Sequence, residues 1–201
     1  MELFVSAIGT DSGKTLISAI FAEALEADYW KPIQSGNPRD TETVRSLVSN
    51  KKTHFWQETY VLNTPASPHA SAKIDGVKVS LDFIEKPITN NHLIIEGAGG
   101  LLVPINDQDY MVDIAMRLKV PIILVCNLYL GSINHSLLSL CYLQQKGIQV
   151  RGLVFNGPSN PESERIIEAK SPWPTIMKIP HLDNVDTRTV SKYAIELKAI
   201  L

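Results

Sequence analysis

A chain of 201 residues that is 44% apolar and 20% charged can bury one sizeable core, and with no linker-like stretch it reads as one domain over residues 1–201. A net charge of −2, a pI near 6.2 and scattered basic residues argue against a general attraction to nucleic acid or to an anionic membrane. The chain enters an apolar strand without a basic and long-apolar leader, and no apolar run is long enough to cross a bilayer, so the cytoplasm is the expected compartment.

The first element is an apolar strand, Leu3-Phe4-Val5, that runs into Gly9-Thr10-Asp11-Ser12-Gly13-Lys14-Thr15 and then into an apolar helix over about Lys14 to Glu26. Strand, glycine turn, lysine and hydroxyl in this order make a phosphate-binding loop. Glycines let backbone N–H groups approach an anion, the helix adds the positive end of its dipole, Lys14 reaches the terminal phosphates and Thr15 can hold Mg²⁺. The common spacing G-x-x-x-x-G-K-[ST] would put a glycine at Ile8, whereas here the earlier glycine is Gly9.

Asp28-Tyr29-Trp30 leads into Lys31-Pro32-Ile33-Gln34-Ser35-Gly36, a second strand ending in a polar turn. In a parallel α/β sheet the loops after the strands share one edge, which would bring Lys31 and Ser35 beside the phosphate loop. Asp40 opens a short helix and is either its cap or a carboxylate aimed at a metal. Asn63 to Ala72, with Pro65, Pro68 and His69, is a turn leading into a helix, irregular enough to serve a site. His69 has no acid or nucleophile near it in sequence.

A short helix is expected over Leu81 to Lys86, and then the apolar strand His92 to Ile95 ends on Glu96-Gly97-Ala98-Gly99-Gly100. A carboxylate there can reach a metal held by the loop threonine, and the glycines permit close approach to phosphate oxygens. A helix near Met111 to Leu118 precedes the central strand Pro121 to Asn127, apolar on both faces. Leu130-Gly131-Ser132-Ile133-Asn134-His135 opens the helix Ser136 to Lys146, whose first N–H groups could bind a second anion. Val150 to Asn156 is a further strand, Gly157-Pro158 its turn, and Pro161 to Lys170 the next helix. Asn156-Gly157-Pro158-Ser159 lacks the lysine and acid of a guanine site, so adenine is the expected base. Thr175 to Leu182 supplies the last strand and its edge loop, and Val190 to Leu201 is an amphipathic helix with Tyr193, Ala194, Leu197, Ile200 and Leu201 on one side. Cys126 and Cys141, without metal-type spacing, read as small core residues.

Gly9 to Thr15, Lys31 to Gly36, Ser67-Pro68-His69, Glu96 to Gly100, Leu130 to His135 and Ile179 to Leu182 together resemble the dethiobiotin synthetase family in order and spacing over nearly the whole chain. The resemblance implies a doubly wound, mainly parallel sheet flanked by helices, of the P-loop type. It implies an ATP- and Mg²⁺-dependent ligase that takes 7,8-diaminononanoate and CO₂ to dethiobiotin through a carbamate and a carbamic–phosphoric anhydride. On matching motifs, ATP falls to Asp11, Ser12, Gly13, Lys14, Thr15 and Leu16, to Gly97, Ala98 and Gly99, and around the base to Asn156, Gly157, Pro180, His181 and Leu182. Thr15, Asp40 and Glu96 would hold Mg²⁺, Lys31 and Lys14 would be catalytic, and Ser35 would touch the diamine. Leu130, Gly131, Ser132, Ile133 and Asn134 would bind the substrate carboxylate from a neighbouring subunit, which implies a homodimer.

Two departures stand out. The family's loop reads G-T-D-T-x-V-G-K-T, so this chain either lacks two residues there or has Ala7 in the place of the first glycine. The chain is also short for the family after Asn156. The rival of the same superclass is a partitioning or septum-positioning ATPase, which carries a second lysine near the start of its loop; none occurs between Met1 and Ser12.

Overall fold

The structure, a computed structural model, describes residues 1–200; Leu201, assigned above to the last amphipathic face, lies outside the described residues. β1 (Glu2–Ala7) leads through the glycine turn to α1 (Lys14–Leu25), followed by β2 (Asp28–Trp30), β3 (Ile33–Ser35), α2 (Asp40–Leu47), β4 (Tyr60–Leu62) and α3 (Pro68–Asp75). After one 3₁₀ turn at Leu81–Phe83 come β5 (Leu93–Glu96), α4 (Met111–Leu118), β6 (Ile122–Asn127), α5 (Ser132–Gln145), β7 (Val150–Asn156), α6 (Pro161–Lys170), β8 (Thr175–Ile179) and α7 (Thr187–Lys198).

Six strands form a parallel sheet in the order β2-β5-β1-β6-β7-β8. Its strands are apolar on both faces because both are covered, and successive side chains go to opposite sides. Leu3, Val5, Ala7, Ile123 and Val125 pack with α1, α2 and α7, whereas Phe4, Ile122, Leu124 and Cys126 pack with α4, α5 and α6. The connection after β1 therefore goes to one face and those after β5 and β6 go to the other. Loops that part in this way leave a crevice at the carboxyl ends of the strands, and the phosphate loop lies in it.

Several elements differ from their expected form. The second strand is broken at Lys31-Pro32: Asp28–Trp30 joins the main sheet, and Ile33–Ser35 pairs with Tyr60–Leu62 as a separate two-stranded sheet. The expected helix over Leu81 to Lys86 is a single turn. α5 begins at Ser132 rather than Ser136, with Gly131 at φ 105° as its cap. Cys126 is buried, but Cys141 is exposed, because Leu140 and Leu143 take the inward face of α5 and Cys141 falls outside it. Ile200 is likewise exposed, lying beyond the end of α7.

Ile123 sits fully buried at the centre of the sheet, in register with Val5 on one side and Gly152 on the other. Ile123→Ala is expected to lower unfolding free energy by about 2–5 kcal/mol in urea titration. The same change at Ile88, which is 97% exposed, should stay within about 0.5 kcal/mol.

Candidate active site

The register of β2, β5 and β1 decides which side chains meet. Trp30 stands beside Ile95 and Val5 beside Glu96, so Lys31, one residue past β2, falls next to Glu96, the last residue of β5. Thr15 arrives from the first turn of α1. Glu96 Oε1 accepts from Thr15 Oγ1 at 2.9 Å and from Lys31 Nζ at 3.2 Å, while Oε2 accepts from the Tyr29 hydroxyl at 2.9 Å. Lys31 Nζ also lies 2.7 Å from Asp40 Oδ2 and donates to the Gly97 carbonyl at 3.1 Å. Lys31 is 2% exposed and Glu96 1%. Charges so buried persist only when paired and hydrogen-bonded on all sides, as these are.

The electrostatics separate the two lysines. Burial alone would drive Lys31 toward its neutral form, but Glu96 and Asp40 together overcome it and raise its pKa, so at neutral pH it is an ammonium ion. Lys14 goes the other way: burial first, then the like charge of Lys31, bring it down to about 8 against the pull of Glu96, Asp40 and Asp11. Burial, and then the charge of Glu96, push the Tyr29 hydroxyl well above its usual value, which keeps it a donor.

Ala7 belongs to β1, paired with Val125, and the Ile8 N–H continues the ladder to the Val125 carbonyl at 3.1 Å. The turn proper is thus Gly9 to Gly13, a shortened loop with Gly9 at its start. Gly13, at φ 91°, caps α1 with no side-chain partner, and a Cβ there would come 2.2 Å from Asn156 Nδ2, so any other residue would be strained and would displace the Asn156 amide. Lys14 curls over the turn and its Nζ donates to the Gly9 carbonyl at 3.3 Å.

These groups line a cavity of about 720 Å³ that takes in Asp11, Ser12, Gly13, Lys14, Thr15, Lys31, Ser35, Asp40, Glu96, Ala98 and Gly99 from the expected set. Ser35 Oγ is buried in its wall without a hydrogen-bond partner. Asp40 is the first residue of α2, after Arg39, and caps nothing; its carboxylate goes to Lys31. Gly97 contributes its carbonyl to Lys31, and Leu16, in the first turn of α1, is half-buried against the core and does not line the cavity.

Asn156, Gly157, Pro180, His181 and Leu182 stand outside that cavity, on the side of the phosphate loop away from Lys31. Asn156 is in register with Ile179, its Nδ2 donates to the Ser12 carbonyl at 3.0 Å, and the Gly157 N–H donates to the Ile179 carbonyl at 2.9 Å. Leu130, Gly131, Ser132, Ile133 and Asn134 lie at the end of β6 and contribute nothing to the cavity of their own chain. Leu130 is fully exposed there and Ser132 is buried.

Sequence reasoning missed Tyr29, Gln34 and Asn127. Tyr29 lies two residues before Lys31 on an extended segment, a spacing that puts both on one side, and this signal was available. Gln34 accepts from the Asp40 N–H at 3.1 Å and so seats α2. Asn127 accepts from Ser12 Oγ at 2.7 Å. The irregular loop does reach the cavity through Pro65, Ala66, Ser67 and Pro68, and His69 Nδ1 lies 3.1 Å from Ser67 Oγ.

The Thr15 hydroxyl and the Glu96 and Asp40 carboxylates suit Mg²⁺, a hard cation that takes few protein oxygens and keeps water and phosphate for the rest. Among the described residues no group of three or more His, Cys, Asp or Glu side chains forms a metal cage. No helix among them is long and apolar enough to cross a membrane.

The family described as an AAA domain matches residues 1–189. The chain is 47% identical to the ATP-dependent dethiobiotin synthetase BioD of Cytophaga hutchinsonii over 98% of this chain and 96% of that protein. It is 45% identical to that of Christiangramia forsetii over 95% and 93%. Among solved structures it resembles a ParA family ATPase from Chlorobium tepidum TLS at TM-score 0.58 and 13% identity, covering 96% of this chain and 97% of that one. The septum site-determining protein MinD from Pyrococcus horikoshii OT3 superposes at TM-score 0.57 and 13% identity, covering 98% and 96%. At such identity these two structures establish the shared parallel-sheet fold alone.

Removing Glu96 leaves Lys31 buried with Asp40 as its one carboxylate partner. Glu96→Ala should therefore cost about 3 kcal/mol in chemical unfolding, and adding Lys31→Met should recover most of that loss, since the unpaired charge goes with it.

Proposed function

Because this chain belongs to the ATP-dependent dethiobiotin synthetase family and is a ligase of biotin biosynthesis, we propose that it joins CO₂ to both amines of 7,8-diaminononanoate with release of ADP and phosphate. The observation that carries this reading is one buried carboxylate, Glu96, held at once by Thr15 of the phosphate loop at 2.9 Å and by Lys31 at 3.2 Å. A second buried ammonium group beside the phosphate loop suits the transfer of phosphate to a small carboxylate-like acceptor, whose charge it can hold.

In the proposed sequence one substrate amine adds to CO₂ and loses a proton, giving a carbamate. A carbamate oxygen attacks the γ-phosphorus and ADP leaves; the second amine then attacks the carbamate carbon and expels phosphate, closing the urea ring. Lys31, kept protonated by Asp40 and Glu96, holds the carbamate charge. Lys14 and the N–H groups at the start of α1 hold the phosphates, so that most of the rate comes from positioning and fixed charge. Mg²⁺, held by Thr15, Glu96 and Asp40, would neutralise charge on the phosphate oxygens.

Ser35 Oγ, buried in the cavity wall without a partner, is suited to an amine or carbamate of the substrate. Asn156 with Gly157 and the loop Pro180-His181-Leu182 border the phosphate loop where the adenine would extend. The segment Leu130 to Asn134 follows β6 with Leu130 and Ile133 exposed and Ser132 buried, and it would complete the substrate site of a second copy in a homodimer with the diamine at the interface. No charged stripe or membrane-spanning helix among the described residues calls for another kind of partner, and the cytoplasm is the proposed compartment.

ADP release should require both the diamine and bicarbonate. Lys31→Ala and Lys14→Ala should each slow it on the order of 100-fold or more while far-ultraviolet circular dichroism stays that of the parent. Release of ADP without the diamine, or a Lys31→Ala protein of normal activity, would contradict the assignment.

A further inference from the structure

The shortened loop is held in a backbone form that needs outside support. Asp11 at φ 54° and Gly13 at φ 91° are both left-handed, and Ser12 lies between them, fully buried. Asp tolerates the left-handed region better than most residues, and contacts from neighbouring side chains help hold it there. Asn127 and Asn156, the last residues of β6 and β7, stand in register with each other, and the Leu128 N–H ties the two strand ends through the Asn156 carbonyl at 3.2 Å. Both asparagines reach Ser12. The Ser12 hydroxyl donates to Asn127 Oδ1 at 2.7 Å, with the Gly9 carbonyl as a longer neighbour at 3.0 Å, and Asn156 Nδ2 donates to the Ser12 carbonyl at 3.0 Å.

We propose that Asn127 is a positioning residue for the nucleoside triphosphate: acting through the Ser12 hydroxyl, it presets the Gly9–Gly13 turn so that its N–H groups are aimed at phosphate oxygens before the nucleotide arrives. The proposal rests on the nucleotide reading of this loop. A loop ordered in advance loses little conformational freedom on binding, and the saving appears as affinity. Asn156 contributes from the other side, but it also abuts Gly13, so Asn127 is the cleaner handle. Asn127 touches neither Lys31, Glu96 nor Asp40, and its effect should fall on ATP binding rather than on the chemical steps.

The test uses the full chain. In Asn127→Ala the equilibrium Kd and the KM for ATP should rise about 10-fold, as for one lost hydrogen bond to the buried Ser12, with kcat and the diamine KM within about 2-fold. Ser12→Ala should weaken ATP binding to a similar extent, and the double variant should bind no more weakly than either single one, because they remove one interaction. In the nucleotide-free protein, amide hydrogen exchange at residues 9–14 should quicken in Asn127→Ala and return to the parental rate in Asn127→Asp, which keeps the acceptor oxygen. Should Asn127→Ala fail to fold, Ser12→Ala carries the same binding and exchange predictions. An unchanged ATP Kd, a fall in kcat at unchanged KM, losses that multiply in the double variant, or exchange as fast in Asn127→Asp as in Asn127→Ala would each overturn the proposal. A parent protein that binds no ATP would remove the nucleotide reading itself.

Discussion

The contact between Lys31 and Glu96 is the constraint on which the site depends. Two opposite charges, each almost wholly withdrawn from water, are tolerable only side by side and with their remaining valences met. The apolar packing that sets β2 beside β5 and β5 beside β1 gives a register that leaves Lys31, Glu96 and Thr15 at one carboxyl edge, where the pair can form. Asp40 adds a second carboxylate from α2, and Tyr29 fixes the free oxygen of Glu96. Fold and chemistry meet here: the sheet order that permits the ion pair also places the phosphate loop against it.

Much of this was legible in the sequence, and for a local reason. The phosphate loop, the acid at the end of an apolar strand and the lysine before a proline turn each lie within a few residues, and parallel α/β topology gathers strand ends at one edge without further information. What escaped was the tertiary detail. Asp40 could be read as a cap or as a carboxylate aimed at a metal because both uses occupy the first turn of a helix; its contact with Lys31, from a distant strand, was not legible locally. The strand expected through Ser35 breaks at Lys31-Pro32, since proline withholds the N–H that a ladder needs. Asn127 looked like the polar end of a buried strand; its partner Ser12 lies more than a hundred residues away in the chain, a pairing that no local pattern encodes.

The structural likeness to ParA and MinD ATPases at 13% identity shows how little the scaffold says about the work done on it. One doubly wound sheet with a phosphate loop after its first strand can drive a switch or a synthesis. The difference resides in the groups set around the terminal phosphate. In this chain the cavity beside the phosphate loop holds a second buried lysine, Lys31, and its wall carries Ser35.

The most direct test of the proposed chemistry follows oxygen atoms. With oxygen-18-labelled CO₂ and unlabelled water over times short against exchange, the carbamate route carries one labelled oxygen into the released phosphate and leaves the other in the urea carbonyl. Finding that label in phosphate, in step with ring closure, is the predicted result. Phosphate that leaves unlabelled while dethiobiotin forms would mean that ATP is cleaved by water and that the carbamate is never phosphorylated.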